Sequence, residues 1–474
     1  MATERYVDVA IIGGGTAGLS AVSEVSKVTE NFVLLNAGPD GTTCARVGCM
    51  PSKVLIQVAN DFHRRHLFMQ QGISGSEQLR IDLGEVLQYV RSLRDGFVNG
   101  VRKTLDSLGD RFQHGHAQFR EPTVLEVDNH TIHAKRIIIA TGSSPIIPPS
   151  WQALTGRLLT TDTLFEQPDV PSPMAIIGLG AVGLEICQAV ARLGVQVTGI
   201  DQTDHLGGLT DPEVNSYVRP VLTREFPMYT GAAAEVGIVD TQLVVRFGNN
   251  SMRAKQILAS LGRRPNTAEL GLERLGVPLD NNGLPPFDPT TMQVGSLPIF
   301  IAGDVNDARP VLHEASDEGR IAGFNSVQEH PHCFQRRTPL LIVFSEPNVA
   351  VVGQSFAELK DQDIAIGEAR FDNQGRAKIM AERTGLIRIY GKKTDGRILG
   401  AELAAPRGEH LAHLLAWAIQ QKMTAFAMLQ LPFYHPVIEE GVRTALRTLS
   451  KQVRAKQQTF DLAICDSAAV EGLE

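Results

Sequence analysis

The residues of this chain whose type and spacing most directly suggest chemistry are Cys44 and Cys49. Two thiols five positions apart can form a redox pair, supply half of a metal site, or simply pack in a core. A metal site needs further ligands of the same kind, whereas Cys187, Cys333 and Cys465 stand alone in the sequence. The spacing therefore favours the redox pair over the metal site.

The residues after the second cysteine strengthen that interpretation. Pro51 is a residue type that favours the first turn of a helix, so Cys49 is expected close to a helix N-terminus. A helix N-terminus stabilises a thiolate, which is the species that disulfide exchange requires. Cys187 falls within an apolar helical stretch and is interpreted as a small core residue.

A candidate acid/base group lies near the C-terminal end of the chain, in the sequence Tyr-His-Pro-Val-Ile-Glu-Glu that begins at Tyr434. A base for thiol chemistry should titrate near neutrality, as histidine does, and a carboxylate partner would fix its tautomer. An isolated histidine is more often structural. Together with a redox pair, His435 becomes the candidate base and Glu440 its carboxylate partner.

Two segments share a pattern of short apolar run, glycine-rich turn and Ala/Leu/Val-rich helical stretch. Glycines let the backbone approach a pyrophosphate closely, and the following helix N-terminus offers free N–H groups to the phosphates. One such turn is weak support, because tight turns are common, but two predict two dinucleotide sites. The glycines are Gly13, Gly15 and Gly18 in the first segment and Gly178, Gly180 and Gly183 in the second.

The end of the second strand in each segment should contact an adenosine ribose. Asp201 stands there in the second segment, where its carboxylate would accept hydrogen bonds from ribose hydroxyls and repel a 2′-phosphate. Gln202 follows, and no arginines cluster beside it in the sequence. These residues predict NAD rather than NADP. In the first segment the second strand ends in the uncharged Asn36, which can still form a hydrogen bond with a ribose hydroxyl.

Length and composition set the wider frame. A chain of 474 residues is too long for one core and suggests about three domains. The net charge of −7 argues against nucleic acid or an anionic membrane as partner, and no apolar stretch is long enough to span a bilayer. The first residues do not resemble a signal peptide, and five cysteines are too few for a secreted disulfide scaffold, so we expect a cytoplasmic protein.

With these motifs in order, the chain resembles the class I pyridine nucleotide-disulfide oxidoreductases over essentially its whole length, and it is most similar to the members that oxidise dihydrolipoyl groups. The resemblance implies an α/β fold with two Rossmann-like, glutathione-reductase-like dinucleotide-binding domains and an α+β C-terminal dimerisation domain. The segments implied are 1–150 (FAD-binding, first part), 151–275 (NAD-binding), 276–337 (FAD-binding or central, second part) and 338–474 (dimerisation).

The resemblance also implies two cofactors, FAD and NAD, and assigns candidate residues to them. Gly13, Gly15 and Gly18 would hold the FAD pyrophosphate, and Asp304 the ribityl or phosphate part. The remaining implied cofactor positions are Asn36, Thr43, Lys53, Gly115, Thr141, Gly142, Gly178, Gly180, Gly183, Asp201 and Gly262.

For catalysis, the resemblance implies that Cys44 is the exposed thiol that exchanges with the substrate while Cys49 faces the flavin, with Lys53 paired to Glu185 nearby. His435, oriented by Glu440, would act on the cysteines of a second subunit, which implies a homodimer. The implied substrate is a lipoyl group, free or carried by a separate protein.

The chain departs from the usual pattern at Asn36, where the family has Glu, at the Gly-Thr-Thr-Cys that ends at Cys44, and at Val437 after His-Pro. Two alternatives therefore stay open. One is an NAD(P)H-dependent reductase of another disulfide, glutathione-like or from sulfur metabolism. The other is a mainly docking or electron-carrying flavoprotein of a multienzyme complex.

Overall fold

This computed structural model describes residues 3–154, 156–455 and 462, so Cys465 lies outside the described residues. The chain divides into two compact units. The first comprises the chain up to Leu55, Asp82–Val170 and Leu261–Arg336, and the second comprises Ile56–Ile81, Pro171–Ser260 and the chain from Arg337 onward.

The strands, in chain order, are β1 Thr3–Ile12, β2 Phe32–Asn36, β3 Phe112–His114, β4 Ala117–Glu121, β5 Val124–Val127, β6 His130–Ile139, β7 Ser143–Pro145, β8 Leu158–Leu159, β9 Met174–Ile177, β10 Val197–Ile200, β11 Met228–Tyr229, β12 Ala234–Val239, β13 Gln242–Phe247, β14 Asn250–Ala254, β15 Gln256–Ala259, β16 Arg263–Pro265, β17 Ile299–Ile301, β18 Leu340–Val343, β19 Asn348–Gly353, β20 Ile364–Arg370, β21 Leu386–Lys392 and β22 Ile398–Ala405.

The α-helices are α1 Thr16–Val25, α2 Thr43–Arg46, α3 Cys49–His63, α4 Arg65–Phe68, α5 Leu83–Asp106, α6 Thr161–Leu164, α7 Ala181–Arg192, α8 Pro212–Thr223, α9 Leu312–Ser326, α10 Phe356–Leu359, α11 Gly375–Met380, α12 Gly408–Gln420, α13 Ala425–Leu429 and α14 Glu440–Ser450. Single 3-10 turns cover Met69–Gln71, Ser76–Gln78, Gly109–Arg111, Pro149–Trp151, Leu272–Leu275 and Asp304–Asn306.

The first unit is built on a sheet in which β3, β2, β1, β6 and β17 run parallel, with the antiparallel strands β4 and β5 added at β6. The central strand β1 is apolar on both faces: Val9 and Ile11 join one buried cluster, and Ala10 and Ile12 join the other. A strand that is buried on both faces is the expected pattern for a parallel sheet covered by other layers. One of those layers is the close pair α1 and α9, where a Cβ at Gly319 would lie only 2.1 Å from the carbonyl oxygen of Ala17.

The second unit contains a parallel sheet in the order β11, β10, β9, β15 and a separate antiparallel sheet of β12, β13 and β14. Its C-terminal part is an antiparallel sheet in the order β18, β19, β22, β21, β20. Helices α12 and α14 share a buried apolar cluster with this sheet, to which α14 contributes Val442, Leu446 and Leu449. Strands followed by amphipathic helices form the predicted α+β arrangement of this part.

Candidate active site

The two cysteines lie where a short helix gives way to a long one. Thr42 caps α2 by accepting a hydrogen bond of 3.1 Å from the Ala45 N–H, and Cys44 is the second residue of that helix. Cys49 is the first residue of α3. Gly48 permits the tight connection, because a Cβ there would lie 3.3 Å from the Cα of Cys44. The expectation that Cys49 stands at a helix N-terminus is confirmed.

The thiols form an interacting pair. Cys44 is half-buried rather than exposed, Cys49 is exposed, and no disulfide joins them. The two side chains share a hydrogen bond, and the backbone N–H groups of Cys49 and Met50 also face the Cys44 sulfur. The N–H groups at the start of α3 therefore also form hydrogen bonds with the Cys44 sulfur. This contact was not predicted from the sequence.

The protonation of Cys44 follows from these contacts. Its pKa is raised above the ordinary value, chiefly by the hydrogen bond with Cys49 and then by burial, which together outweigh the backbone N–H groups. Cys44 therefore holds its proton to a higher pH than an ordinary cysteine does.

Lys53 stands four residues after Cys49 on α3, which places both side chains on one face of the helix. Glu185 is buried on α7, where its Oε1 accepts a hydrogen bond of 2.8 Å from the Phe344 N–H. Lys53 belongs to the first unit and Glu185 to the second, so their pairing stays a prediction.

His435 and Glu440 are brought together by the turn that precedes α14. The His435 Nδ1 lies 3.0 Å from Oε1 and 3.1 Å from Oε2 of Glu440, and the Val437 N–H donates to Oε2 at 3.3 Å. The hydrogen bond from His435 is the main reason that the pKa of Glu440 is lowered. The His435 side chain is 76% exposed, so its second ring nitrogen, Nε2, is available for proton transfer outside this pair.

The first glycine turn connects β1 to α1. Gly13 has a φ of +115°, and a Cβ at Gly18 would lie 1.9 Å from the Gly13 carbonyl oxygen, so both positions need glycine. Gly15 precedes α1 without any side-chain cap, and a Cβ there would meet no atom within 4 Å. Asn36 supports the turn from the end of β2, where its Oδ1 accepts from the Gly14 N–H at 3.2 Å.

The second glycine turn, between β9 and α7, repeats this construction. Gly178 has a φ of +99°, a Cβ at Gly183 would lie 1.8 Å from the Gly178 carbonyl oxygen, and one at Gly180 would meet no atom within 4 Å. Asp201 lies at the position equivalent to Asn36 in the first turn, and its Oδ2 accepts a 2.6 Å hydrogen bond from the Leu179 N–H.

Both turns fit a dinucleotide. In each, an α-helix begins at a glycine that has no side-chain cap, so its first N–H groups are available to a phosphate. The open space at Gly15 and Gly180 is what close approach of a pyrophosphate requires. The residues present therefore fit FAD at the first turn and a pyridine nucleotide at the second.

Thr141 and Gly142 follow β6 and are fixed by Asn266. The Thr141 hydroxyl donates to the Asn266 carbonyl at 2.8 Å, and the Asn266 side chain donates back to the Thr141 carbonyl at 3.0 Å. Gly262 leads into the same region with a φ of +92°, and its carbonyl accepts from the Ile146 N–H.

Asp304 opens a 3-10 turn after β17, and its Oδ2 accepts from the Ser143 hydroxyl at 3.0 Å. Behind the turn, the buried Glu318 accepts from the Gly303 N–H at 2.8 Å and from the Asn306 amide at 2.7 Å. Burial is the main reason that the pKa of Glu318 is raised. Sequence reasoning missed this support. Its only signal was the spacing of Glu314 and Glu318, which puts two carboxylates on one helix face.

A cationic side chain compensates these two carboxylates. Arg336 donates to Glu318 Oε1 at 2.8 Å and to Glu314 Oε2 at 2.5 Å, and Arg309 approaches Glu314 Oε1 at 3.1 Å. Glu314 and Glu318 side chains are almost fully buried. The cluster of Glu314, Glu318, Arg309 and Arg336 therefore forms the polar support of the Asp304 turn.

The remaining implied flavin positions are Gly115, which follows β3, and Thr43, which begins α2. Gly115 donates its N–H to the Asn36 carbonyl at 3.1 Å and has a φ of +158°. A Cβ on Gly115 would lie 2.6 Å from a Val127 methyl group. Thr43 is the first residue of α2, and its carbonyl accepts from the Val47 N–H at 3.0 Å.

In the described part of the chain, no helix is long and apolar enough to cross a membrane. Over the same residues, no three His, Cys, Asp or Glu side chains group closely enough to hold a metal ion.

Comparison with known proteins agrees with this construction. The family described as pyridine nucleotide-disulphide oxidoreductase matches residues 7–319, and its dimerisation domain matches residues 340–446. The chain belongs to the pyridine nucleotide-disulphide oxidoreductase family, and the predicted fold class is confirmed. Proteins of this family bind FAD and use NADH or NADPH, and the dimerisation domain indicates a homodimer.

Individual relatives differ in what they act on. The chain is 28% identical to dihydrolipoyl dehydrogenase of Geobacillus stearothermophilus over 91% of this chain and 93% of the relative. It is 29% identical to mercuric reductase of Shigella flexneri over 94% of this chain and 81% of that protein. The fold matches the HOCl-induced flavoprotein disulfide reductase RclA of Escherichia coli with a TM-score of 0.81 and 21% identity, covering 93% of this chain and 99% of that structure.

Proposed function

We propose that this chain is a dihydrolipoamide dehydrogenase, which oxidises dihydrolipoyl groups and reduces NAD⁺. The observation that carries the proposal is that one chain presents both halves of a dithiol-exchange site: the hydrogen-bonded thiols Cys44 and Cys49, and the His435–Glu440 pair. Similarity to dihydrolipoyl dehydrogenases over nine-tenths of the chain supports the choice of substrate.

The exchange begins with Cys44 and Cys49 joined as a disulfide. His435 takes the proton from one substrate thiol, and the resulting thiolate attacks the Cys44 sulfur. The bond between Cys44 and Cys49 breaks, and Cys49 leaves as a thiolate. The second substrate thiol then attacks the substrate sulfur of the mixed disulfide, and its proton passes to the Cys44 sulfur, which is released as a thiol. The substrate leaves as a cyclic disulfide, and two electrons remain on the cysteine pair.

Each protein group has a defined task in these steps. Glu440 holds the His435 Nδ1, so that Nε2 is the nitrogen that accepts the proton. The N–H groups of Cys49 and Met50 stabilise negative charge on Cys44 as it leaves the substrate. Lys53, paired with Glu185, adds positive charge on the face of α3 that carries Cys49.

FAD bound at the first glycine turn would supply the redox chemistry that links the dithiol to the pyridine nucleotide. The chain supplies its binding surface. We assign Gly13, Gly15, Gly18 and Asp304 to FAD, with Asn36, Thr43, Gly115, Thr141 and Gly142 beside it. Gly178, Gly180, Gly183, Asp201 and Gly262 are assigned to the NAD side, where the Asp201 carboxylate favours NAD over NADP.

His435 of one protomer would serve the cysteine pair of the other, which makes the homodimer the catalytic unit. We keep the segments 1–150, 151–275, 276–337 and 338–474 as functional divisions of the chain. A location in the cytoplasm is part of the same proposal.

A second candidate is an NAD(P)H-dependent reductase of a different substrate. It is favoured by the 29% identity to a mercuric reductase, which shows that chains this similar to ours serve different electron acceptors.

A substrate panel tests the proposal. We would compare NAD⁺ reduction by dihydrolipoamide with oxidation of NADH or NADPH by lipoamide, glutathione disulfide and Hg²⁺. Dihydrolipoamide turnover with NAD⁺ that exceeds the other reactions supports the dehydrogenase. Turnover confined to glutathione disulfide or Hg²⁺ would move the chain to the second candidate.

A further inference from the structure

The structure brings an arginine to the ribose end of the nucleotide domain, although the sequence shows none beside Asp201. Arg219 lies on α8, and its Nη2 donates to the carbonyl oxygen of Asp204 at 2.8 Å. The same Nη2 lies 3.7 Å from the Asp204 Oδ1, and Nη1 donates to the Thr230 hydroxyl. Arg219 is therefore engaged by the loops that follow β10 and β11.

Asp204 and Thr230 hold this arginine through a relay. The Thr230 hydroxyl, which accepts from Arg219, donates in turn to the Asp204 Oδ1 at 2.7 Å. The Asp204 carboxylate thus binds the arginine directly as an ion pair and indirectly through the threonine. Two groups of one residue, a carbonyl and a carboxylate, fix the guanidinium.

This cluster is continuous with the ribose carboxylate. Asp201 accepts through Oδ1 from the Thr203 N–H at 2.7 Å and from the Thr203 hydroxyl at 2.8 Å. Thr203 in turn accepts, through its carbonyl, from the Gly231 N–H at 3.3 Å. Gly231 follows Thr230. Asp201 and the residues that hold Arg219 are therefore connected through the two loops that follow β10 and β11.

The charges of these side chains bear on whether a nucleotide with a 2′-phosphate can bind here. A 2′-phosphate carries close to two negative charges and is bound by arginine, which can donate two parallel hydrogen bonds. We propose that Asp204 is a second determinant of NAD preference, because its carboxylate pairs with Arg219 and adds a negative charge to the loop that begins at Asp201. The inference rests on the proposed use of NAD and deepens it.

Binding of nucleotide fragments to the FAD-loaded enzyme tests this without any turnover. Titration calorimetry would compare 2′,5′-ADP, which carries the 2′-phosphate, with 5′-AMP, which does not. We expect Asp204→Ala to strengthen 2′,5′-ADP binding about tenfold, because the charge of Arg219 is then no longer neutralised by the Asp204 carboxylate and can attract the phosphate. Binding of 5′-AMP should change less than about twofold.

Further variants test whether the gain in affinity comes from the charge of Arg219 or from a non-specific change in the loop. In Asp204→Ala/Arg219→Gln the gain should vanish, whereas Arg224→Gln, an exposed arginine at the end of the same helix, should leave it intact in the Asp204→Ala background. Asp204→Asn keeps the acceptor for Thr230 and provides a milder variant if the alanine form loses FAD. We expect it to give part of the gain.

The outcomes distinguish the inference from the proposed function. If the wild-type enzyme prefers 5′-AMP but neither Asp204 variant gains affinity for 2′,5′-ADP, the inference is wrong and NAD use stands. A gain that survives Arg219→Gln also overturns it. If the wild-type enzyme already prefers 2′,5′-ADP, the assignment of NAD itself fails.

Discussion

The His435 Nδ1 lies within 3.1 Å of both carboxylate oxygens of Glu440. The carboxylate is held in turn by the Val437 N–H at the start of α14, so the histidine ring is fixed by groups only a few residues away in sequence. Because groups close to it in sequence orient the ring, the histidine can stand on an exposed turn.

We predict that Glu440→Gln lowers kcat for dihydrolipoamide about tenfold, and that His435→Gln lowers it about 100-fold or more. The glutamine can still accept a hydrogen bond from Nδ1, but it no longer stabilises the protonated ring. Stopped-flow and steady-state rates with FAD content checked for each variant would measure the effect. The matched control is Glu439→Gln, one residue earlier, which should keep nearly full activity. If Glu439→Gln lost as much activity as Glu440→Gln, the role assigned to Glu440 would be refuted.

The thiols should differ in reactivity when the reduced, FAD-free protein is treated with limiting iodoacetamide. The raised pKa of Cys44 leaves less thiolate at a given pH, and the side chain is half-buried, so Cys49 should be alkylated first. Raising the pH should increase the Cys44 rate, because its proton is lost only above the ordinary range for cysteine. Peptide mass spectrometry would follow both residues, with exposed Cys333 as the internal reference. Faster alkylation of Cys44 at neutral pH would contradict this view.

The glycines of the first turn should separate folding from cofactor binding. Gly15→Ala has room for its methyl group within the protein, so it should fold but bind FAD at least about tenfold more weakly. Gly18→Ala would collide with the Gly13 carbonyl and should cost about 3 kcal/mol of stability. Thermal unfolding and FAD titration of both variants would decide. If Gly15→Ala keeps wild-type FAD affinity, the pyrophosphate does not lie at this turn.

The support of the Asp304 turn can be tested with two arginines that share one carboxylate. Arg336→Gln leaves Glu314 and Glu318 buried without their main cation, and we expect a loss of about 3 kcal/mol and release of FAD at lower temperature. Arg309 is 40% exposed, so Arg309→Gln should cost less than about 1 kcal/mol. Flavin fluorescence during a thermal ramp would report both effects. The interpretation fails if the two variants behave alike.

The sequence predicted those parts of the site that are coded locally. Within each glycine turn, within the cysteine pair and within the His–Glu pair, the residues are only a few positions apart. Their geometry therefore depends mainly on the local backbone. The α+β character of the C-terminal part was also predicted, and its first strand, β18, begins at Leu340.

Other features could not be read from the sequence because they depend on distant segments. Arg219 reaches Asp204 and Thr230 only because α8 lies against the loops that follow β10 and β11. Glu318 meets Arg336 and the Gly303 N–H only once α9 covers the sheet. The same holds for the contact of the Cys44 sulfur with the start of α3, since that contact depends on the turn at Gly48.

The most direct test of the account is NADH formation from dihydrolipoamide and NAD⁺ by the purified dimer and by two serine variants. Cys49→Ser should abolish NADH formation while FAD stays bound, and the matched variant Cys333→Ser should match the wild-type enzyme. Sustained NADH formation by Cys49→Ser would contradict the account, because electrons would then reach the pyridine nucleotide without the Cys44–Cys49 pair.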